Sequence, residues 1–293
     1  MPLTLLADTA LLAAHIDDPA WIVVDCRSDP ANAAFGRVEY EKGHLPGAIF
    51  LDMDRDLCGE HTGRNGRHPL PDARRFAATL GAAGIDKGKQ VVAYDDRGGA
   101  SAARLWWMLR WLGHEAVALL DGGITRWVAE GRPLTTDVPA PRAARFEGEP
   151  RETMRVDSAF VAAHVAAHVA ALAAGNPPRG DAVLVDARVP ARYRGEMEPI
   201  DPVAGRIPGA RNRPLQDNLG ADGRFKSPQA LRADFEAVLA GLPAEAVVHY
   251  CGSGVSACHN LFAMALAGMG GSRLYAGSWS EWIADPSRPI ERG

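Results

Sequence analysis

One cysteine of this sequence lies in a loop whose residue types favour nucleophilic chemistry: Cys251-Gly252-Ser253-Gly254-Val255-Ser256-Ala257. The apolar run at 247–250 is typical of a buried strand, and the apolar stretch at 261–266 is typical of a helix. A cysteine between a strand and a helix has backbone N–H groups directed at its sulfur and lies at the positive end of the helix dipole. Both effects favour the thiolate, the nucleophilic form of cysteine. The loop therefore predicts covalent sulfur or acyl chemistry at Cys251.

The elements that must position this loop occur in a sequence that repeats itself. Four motifs recur in the same order at offsets of 155–162 residues: 24–27 with 185–188, 43–48 with 205–210, 91–95 with 247–251, and 122–127 with 277–282. A nearly constant offset indicates gene duplication. Each copy has the size of an ordinary domain, so we expect two domains, 1–140 and 150–293, with a proline-rich linker at 133–150.

Within each copy, short apolar strands alternate with helical patterns. The predicted strands are 22–25, 91–94, 117–120, 183–186, 247–250 and 273–275, and the predicted helices include 72–83, 100–112, 228–240 and 257–267. Such alternation is typical of a mostly parallel sheet with helices on both faces. The sequence therefore predicts an α/β fold of two tandem domains.

The two copies differ at the cysteine loop. Cys251 aligns with Asp95, and the first-copy loop contains no thiol. Only the second domain can carry out thiolate chemistry, so the first is expected to be structural and to contribute side chains to the site.

These residues together resemble the rhodanese superfamily, and the cysteine loop resembles its 3-mercaptopyruvate sulfurtransferase branch. That branch typically has threonine at the position of Ser256. The thiosulfate branch usually has Arg-Lys after the cysteine, where this chain has Gly252-Ser253. The resemblance covers nearly the whole chain and implies two tandem rhodanese-like domains.

The resemblance also implies roles for individual residues. Ser253 matches a serine that forms a relay with a histidine and an aspartate, and the matching positions are His68 and Asp54. Arg192 matches a substrate-binding arginine, and a guanidinium can hold a carboxylate by two parallel hydrogen bonds. Arg188 is a further donor-binding candidate, although the same Asp-x-Arg pair in the first copy favours a structural ion pair. The loop residues expected to contact the donor are Gly252, Gly254, Val255, Ser256 and Ala257.

One departure from the resembled branch concerns a second arginine. That branch has an arginine after a Glu-Pro pair, where this chain has Ile200, and Arg206 is a candidate replacement. The loop from Cys251 to Ala257 contains no lysine or arginine, so only distant arginines would meet the donor. This favours a monocarboxylate donor over the thiosulfate dianion.

The implied reaction is a ping-pong transfer of sulfur from 3-mercaptopyruvate, through a Cys251 persulfide, to an acceptor. The expected acceptor is a thiol, such as that of a thioredoxin-like protein, or cyanide, and no metal or organic cofactor is expected. The alternatives are a thiosulfate sulfurtransferase and a non-catalytic sulfur-carrier or regulatory module. A cysteine phosphatase is excluded, because it needs arginine six positions after the cysteine, where this chain has Ala257.

Composition limits the other classes of function. The 293 residues are 47% hydrophobic and 23% charged, with a formal net charge of -4 and no long basic block, so no nucleic-acid partner is expected. No apolar run reaches the roughly 18 residues of a membrane span, and no signal peptide is evident. With four cysteines and no Cys-x-x-Cys spacing, we expect a cytoplasmic protein without disulfides.

Overall fold

A computed structural model describes residues 2–176 and 182–293 of the protein. Its contacts divide the chain into two compact units. The first comprises Met1–Gly59, Leu70–Arg151 and Leu219–Phe225, and the second comprises Glu60–Pro69, Glu152–Asn218 and Lys226–Gly293. The predicted domains are continuous spans, whereas each compact unit includes a short segment from the other half of the sequence. His68 consequently belongs to the same unit as Cys251.

The first unit is built on a five-stranded parallel sheet. Its strands are β1 Leu6–Ala7, β2 Trp21–Asp25, β3 Ile49–Phe50, β4 Gln90–Tyr94 and β5 Val117–Leu120, and its helices are α1 Thr9–Ala14, α2 Phe35–Lys42, α3 Ala73–Ala82, α4 Ala102–Trp111 and α5 Gly123–Ala129. The strand order is β1-β5-β4-β2-β3, with every pairing parallel. Strands β4 and β5 are buried at every position, which fits their mostly apolar sequences.

The second unit repeats this plan. Its strands are β6 Arg155–Val156, β7 Val183–Asp186, β8 Arg211–Asn212, β9 Val247–Tyr250 and β10 Arg273–Tyr275, and its helices are α6 Ser158–Ala173, α7 Pro190–Tyr193, α8 Pro228–Leu239, α9 Ala257–Leu266 and α10 Ser278–Trp282. Short 3₁₀ helices lie at Glu152–Met154, Leu215–Asn218 and Ala244–Ala246. The parallel strand order β6-β10-β9-β7-β8 is equivalent to that of the first unit. The predicted α/β class and tandem arrangement are confirmed.

The position of β9 determines where the cysteine loop lies. This strand is in the middle of its sheet, between β10 and β7, and all four of its residues are buried. Val248 and Tyr250 pack in a core that includes Leu184, Trp279 and Trp282. Cys251 follows directly, so it lies at the carboxyl end of a central strand, where open parallel sheets usually bind their ligands.

The predicted linker at 133–150 is part of the first unit, which extends to Arg151. The segment forms no regular element, but the Ala144 N–H donates to the carbonyl oxygen of Gly81 at 2.8 Å, and Phe146 is buried. Proline and short polar residues indicated correctly that the segment is irregular. They did not indicate that it packs on the sheet's helices. Among the described residues, no helix is both long enough and apolar enough to span a membrane.

Candidate active site

The cysteine loop connects β9 to α9, as the sequence predicted. The Cys251 side chain is buried, and its Sγ accepts a hydrogen bond from the Gly254 N–H at 3.1 Å. Gly254 has a φ of +81°, and a Cβ there would lie 2.2 Å from the carbonyl oxygen of Ala276. Helix α9 begins at Ala257, and the Ser256 side chain makes no capping hydrogen bond to it. The loop thus presents the Gly254 N–H to the sulfur and is followed by a helix start without a side-chain cap, and both features can stabilise negative charge.

Ser278, which the sequence analysis missed, holds the cysteine backbone. Its Oγ accepts a hydrogen bond from the Cys251 N–H at 3.1 Å and donates to the carbonyl oxygen of Tyr275 at 2.9 Å. Ser278 has a φ of +55°, an uncommon conformation for a residue with a Cβ. The equivalent residue of the first unit, Gly123, has nearly the same φ of +56°. Serine at a position suited to glycine therefore adds a hydrogen bond at the cost of backbone strain.

The first unit shows what such a loop holds. The carboxylate of Asp95 accepts hydrogen bonds from the N–H groups of Arg97, Gly99, Ser101 and Ala102 at 2.8, 2.9, 2.7 and 2.9 Å. Four N–H groups therefore surround one anionic side chain at the position that Cys251 occupies in the second unit. The first-unit loop is therefore an anion cradle that is filled by its own carboxylate.

The structure brings His68 and Ser253 together. His68 Nδ1 lies 2.7 Å from Ser253 Oγ, a hydrogen-bonding distance. The segment carrying His68 is anchored next to α10, because the Arg67 N–H donates to Ser280 Oγ at 3.0 Å. Gly66 adopts a φ of +83°, and a Cβ there would lie 2.7 Å from the carbonyl oxygen of Gly277. This geometry suits the predicted proton relay, whose catalytic role stays a prediction.

Asp54, the third predicted relay residue, belongs to the first unit. It is exposed, and its N–H donates to the carboxylate of Asp52 at 2.9 Å. Its place in a relay with His68 stays a prediction.

Two arginines flank Gly252, and the sequence analysis identified only one of them. Arg192 donates from Nε and Nη2 to Glu198 at 3.0 and 2.6 Å, and from Nη2 to Asp201 at 3.1 Å. Arg67 donates to the same Asp201 from Nε at 2.8 Å and from Nη2 at 3.1 Å. A Cβ on Gly252 would lie 2.9 Å from Arg67 Nη2 and 3.4 Å from Arg192 Nη2. Glycine at this position therefore leaves space for both guanidinium groups.

This arrangement corrects the expectation that arginines lie far from the cysteine loop. The loop itself has no lysine or arginine, but the fold places Arg67 and Arg192 beside Gly252. Burial acts to raise the pKa of Glu198, but hydrogen bonds from Arg192 and from backbone N–H groups hold that pKa below its usual range. Glu198 is therefore ionised at neutral pH and orients Arg192.

The two remaining candidate arginines, Arg188 and Arg206, form ion pairs within the protein. Arg188 is paired with Asp186 through Nε and Nη2, and its Nη2 also donates to the carbonyl oxygen of Gly205 at 2.7 Å. Asp25 and Arg27 form the same pair in the first unit, so the structure favours a structural ion pair at Arg188 over donor binding. The Arg206 guanidinium pairs with Glu291 and lies 4.5 Å from the ring centroid of Tyr193, which does not support it as a replacement for the missing arginine.

Two other cysteines lack the features of a nucleophile. Burial raises the pKa of the Cys58 thiol to about 11 and raises that of Cys26 well above its ordinary value. These thiols are therefore protonated at neutral pH. Among the described residues, no cluster of histidine, cysteine and carboxylate side chains could hold a metal ion.

Known proteins resemble the whole chain. The rhodanese-like domain family matches residues 8–130 and 169–285. A Pseudomonas aeruginosa protein named "Probable 3-mercaptopyruvate sulfurtransferase" is 48% identical over 96% of this chain and 96% of its own length. A Mycobacterium tuberculosis protein named "Putative thiosulfate sulfurtransferase SseB" is 38% identical over 88% of this chain and 86% of its own length. The structure of "3-mercaptopyruvate sulfurtransferase from Leishmania major" has a TM-score of 0.80 at 29% identity, over 95% of this chain and 74% of that one.

The chain therefore belongs to the rhodanese family of sulfurtransferases, with two tandem rhodanese-like domains. The resemblance drawn from the sequence is confirmed. Within the family, the cysteine loop, the His68–Ser253 pair and the two arginines beside Gly252 define the candidate site.

Proposed function

We propose that the protein transfers sulfur from 3-mercaptopyruvate through a persulfide on Cys251. The Cys251 thiolate attacks the donor sulfur, so that an S–S bond forms and the donor's C–S bond breaks. The electron pair of the C–S bond passes to the methylene carbon, giving the enolate of pyruvate. The proton of the donor thiol is delivered to that carbon, and pyruvate leaves.

The hydrogen bond between His68 and Ser253 is the observation that carries this proposal. His68 Nδ1 and Ser253 Oγ are 2.7 Å apart, and Ser253 is two positions from Cys251 in the sequence. This hydroxyl and imidazole can therefore move a proton at the reacting sulfur. An enolate leaving group needs a proton. Sulfite, the leaving group of thiosulfate, needs none, so the pair suits 3-mercaptopyruvate better than thiosulfate.

The Asp95 cradle supports the persulfide intermediate. The first unit holds an anionic side chain with four N–H groups, and the equivalent loop of the second unit can hold the terminal sulfur of a Cys251 persulfide. An acceptor then removes that sulfur and restores the thiolate. The proposed acceptors are a small thiol, a thioredoxin-like protein thiol or cyanide, and the chemistry needs no metal or organic cofactor.

Thiosulfate is the second candidate donor. The two arginines beside Gly252 favour it, since they bring positive charge closer to Cys251 than the loop sequence suggests. Both arginines, however, share the carboxylate of Asp201, and Arg192 also binds Glu198. The two arginines are therefore balanced by two carboxylates, which suits a singly charged donor better than a dianion.

Initial rates with each donor test the proposal. We expect kcat/KM to be higher for 3-mercaptopyruvate than for thiosulfate, with pyruvate formed in equal amount to transferred sulfur. Mass spectrometry after incubation with the donor alone should show one added sulfur on the peptide containing Cys251. A preference for thiosulfate would overturn the donor, and sulfur on another cysteine would overturn the nucleophile. Full activity after alkylation of Cys251 would instead favour a carrier or regulatory module.

A further inference from the structure

We propose that Arg67 is a second donor-binding residue, which binds the donor carboxylate together with Arg192 beside Cys251. This inference rests on the function proposed above and specifies the donor class as carboxylates. It assigns to Arg67 the positive charge that is missing at Ile200. Arg67 precedes the relay histidine in the sequence and is distant from Arg192, so no local pattern connects them.

The position of Arg67 supports this role. Its Nη2 would lie 2.9 Å from a Cβ on Gly252, nearer than either terminal nitrogen of Arg192, at 3.4 and 3.6 Å. Both guanidinium groups therefore lie beside the residue that directly follows the nucleophile in the sequence. The Arg67 side chain is 26% exposed and that of Arg192 is 13% exposed, so a small ligand can reach both.

Asp201 orients the pair. Its carboxylate is 2% exposed and accepts two hydrogen bonds from Arg67 and one from Arg192. Each arginine uses its Nε and Nη2 for these ion pairs, and within residues 2–176 and 182–293 neither Nη1 makes a hydrogen bond. Two guanidinium groups held by one buried carboxylate, with donors still available, form a preorganised site for a carboxylate ligand.

A structural role for Arg67 makes a different prediction. Arg67 could serve only to anchor the segment that carries His68, through Asp201 and Ser280. Loss of that anchor would displace the relay, so it would lower kcat and alter the pH profile of kcat. Loss of a donor-binding residue would instead raise KM for 3-mercaptopyruvate while kcat changes little.

Alkylation of Cys251 provides a test that does not depend on turnover. Iodoacetate carries a carboxylate and iodoacetamide is neutral, while both alkylate the same thiolate. We would measure the ratio of their second-order rate constants at Cys251 in the intact protein, in Arg67→Gln and in Arg64→Gln. Arg64 is the matched control, because it is an exposed arginine in the same segment.

We expect Arg67→Gln to lower the iodoacetate-to-iodoacetamide ratio about tenfold, through loss of one charge-assisted contact, and Arg64→Gln to leave the ratio unchanged. An unchanged ratio in Arg67→Gln, including equal slowing with both reagents, would overturn the proposal. Should Arg67→Gln fail to fold, Arg67→Lys keeps the charge but loses the bidentate geometry, and its ratio should fall several-fold. Failure of the wild-type protein to use 3-mercaptopyruvate would contradict the proposed function alone, since the alkylation ratio still tests Arg67.

Discussion

Replacement of Ser253 by alanine tests the proton relay most directly. The change removes the hydroxyl that lies 2.7 Å from His68 Nδ1, while the loop N–H groups and Cys251 remain. General acid–base catalysis typically contributes a factor of about 10²–10⁴. Ser253 is 7% exposed, so a water molecule can partly replace the hydroxyl, and we expect the lower end of this range. A hundredfold loss of kcat corresponds to about 2.7 kcal/mol of transition-state free energy.

The assay compares two donors in the same variant. Steady-state kcat should fall about 100-fold with 3-mercaptopyruvate, whose enolate must be protonated, and by less than about threefold with thiosulfate. Ser287→Ala, at an exposed serine of a surface turn, is the matched control and should keep both rates. An equal loss with both donors would show that Ser253 shapes the loop, and an unchanged rate with 3-mercaptopyruvate would refute the relay.

Three further predictions follow from the same geometry. Cys251→Ser should abolish transfer and persulfide formation by mass spectrometry while circular dichroism is unchanged; more than a few per cent of the wild-type rate would contradict its role. Arg192→Ala should raise KM for 3-mercaptopyruvate about tenfold or more, with a smaller change in kcat, and an unchanged KM would make Arg192 structural. Burial lowers the pKa of His249 from 6.5 to about 3 in the folded protein. Between these values the unfolded chain binds a proton that the folded protein does not, so the free energy of unfolding falls as the pH decreases below 6.5. Between pH 7.5 and 5.5, wild type should therefore lose about 1.4 kcal/mol more unfolding free energy than His249→Leu in denaturant titrations, and equal losses would contradict this assignment.

The sequence predicted the central elements of the fold well. Strands β4 and β9 lie within one residue of their predicted bounds, because buried parallel strands have mostly apolar sequences. Helix α9 also lies within one residue of its predicted bounds. The edge strands β1, β3, β6 and β8 have two residues each, too few to show any periodicity, and they were missed. Their pairing depends on neighbours that are distant in sequence, such as Leu119 opposite Leu6.

The candidate site was predictable only where a local motif marked it. Cys251 is marked by its loop, and the placement of His68 beside Ser253 followed from the family resemblance. Arg67 was missed because its partner Asp201 is 134 residues away and no pattern joins them. Ser278 could have been predicted, because the repeat aligns it with Gly123. A serine that keeps the backbone conformation of a glycine indicates that its side chain has a role.

The two aligned loops hold different side chains and differ in part of their backbone, since Gly99 has a φ of +94° and the aligned Val255 does not have a positive φ. In the first unit, the carboxylate of Asp95 satisfies four N–H groups that converge on one point, so the loop is stable without a ligand. In the second unit, Cys251 Sγ accepts a hydrogen bond from the Gly254 N–H in the aligned loop. In the proposed reaction, a persulfide would extend this side chain by one sulfur and carry negative charge further into the loop. We propose that the loop N–H groups stabilise the sulfur-loaded state more than the unloaded cysteine, because the longer side chain reaches more of them.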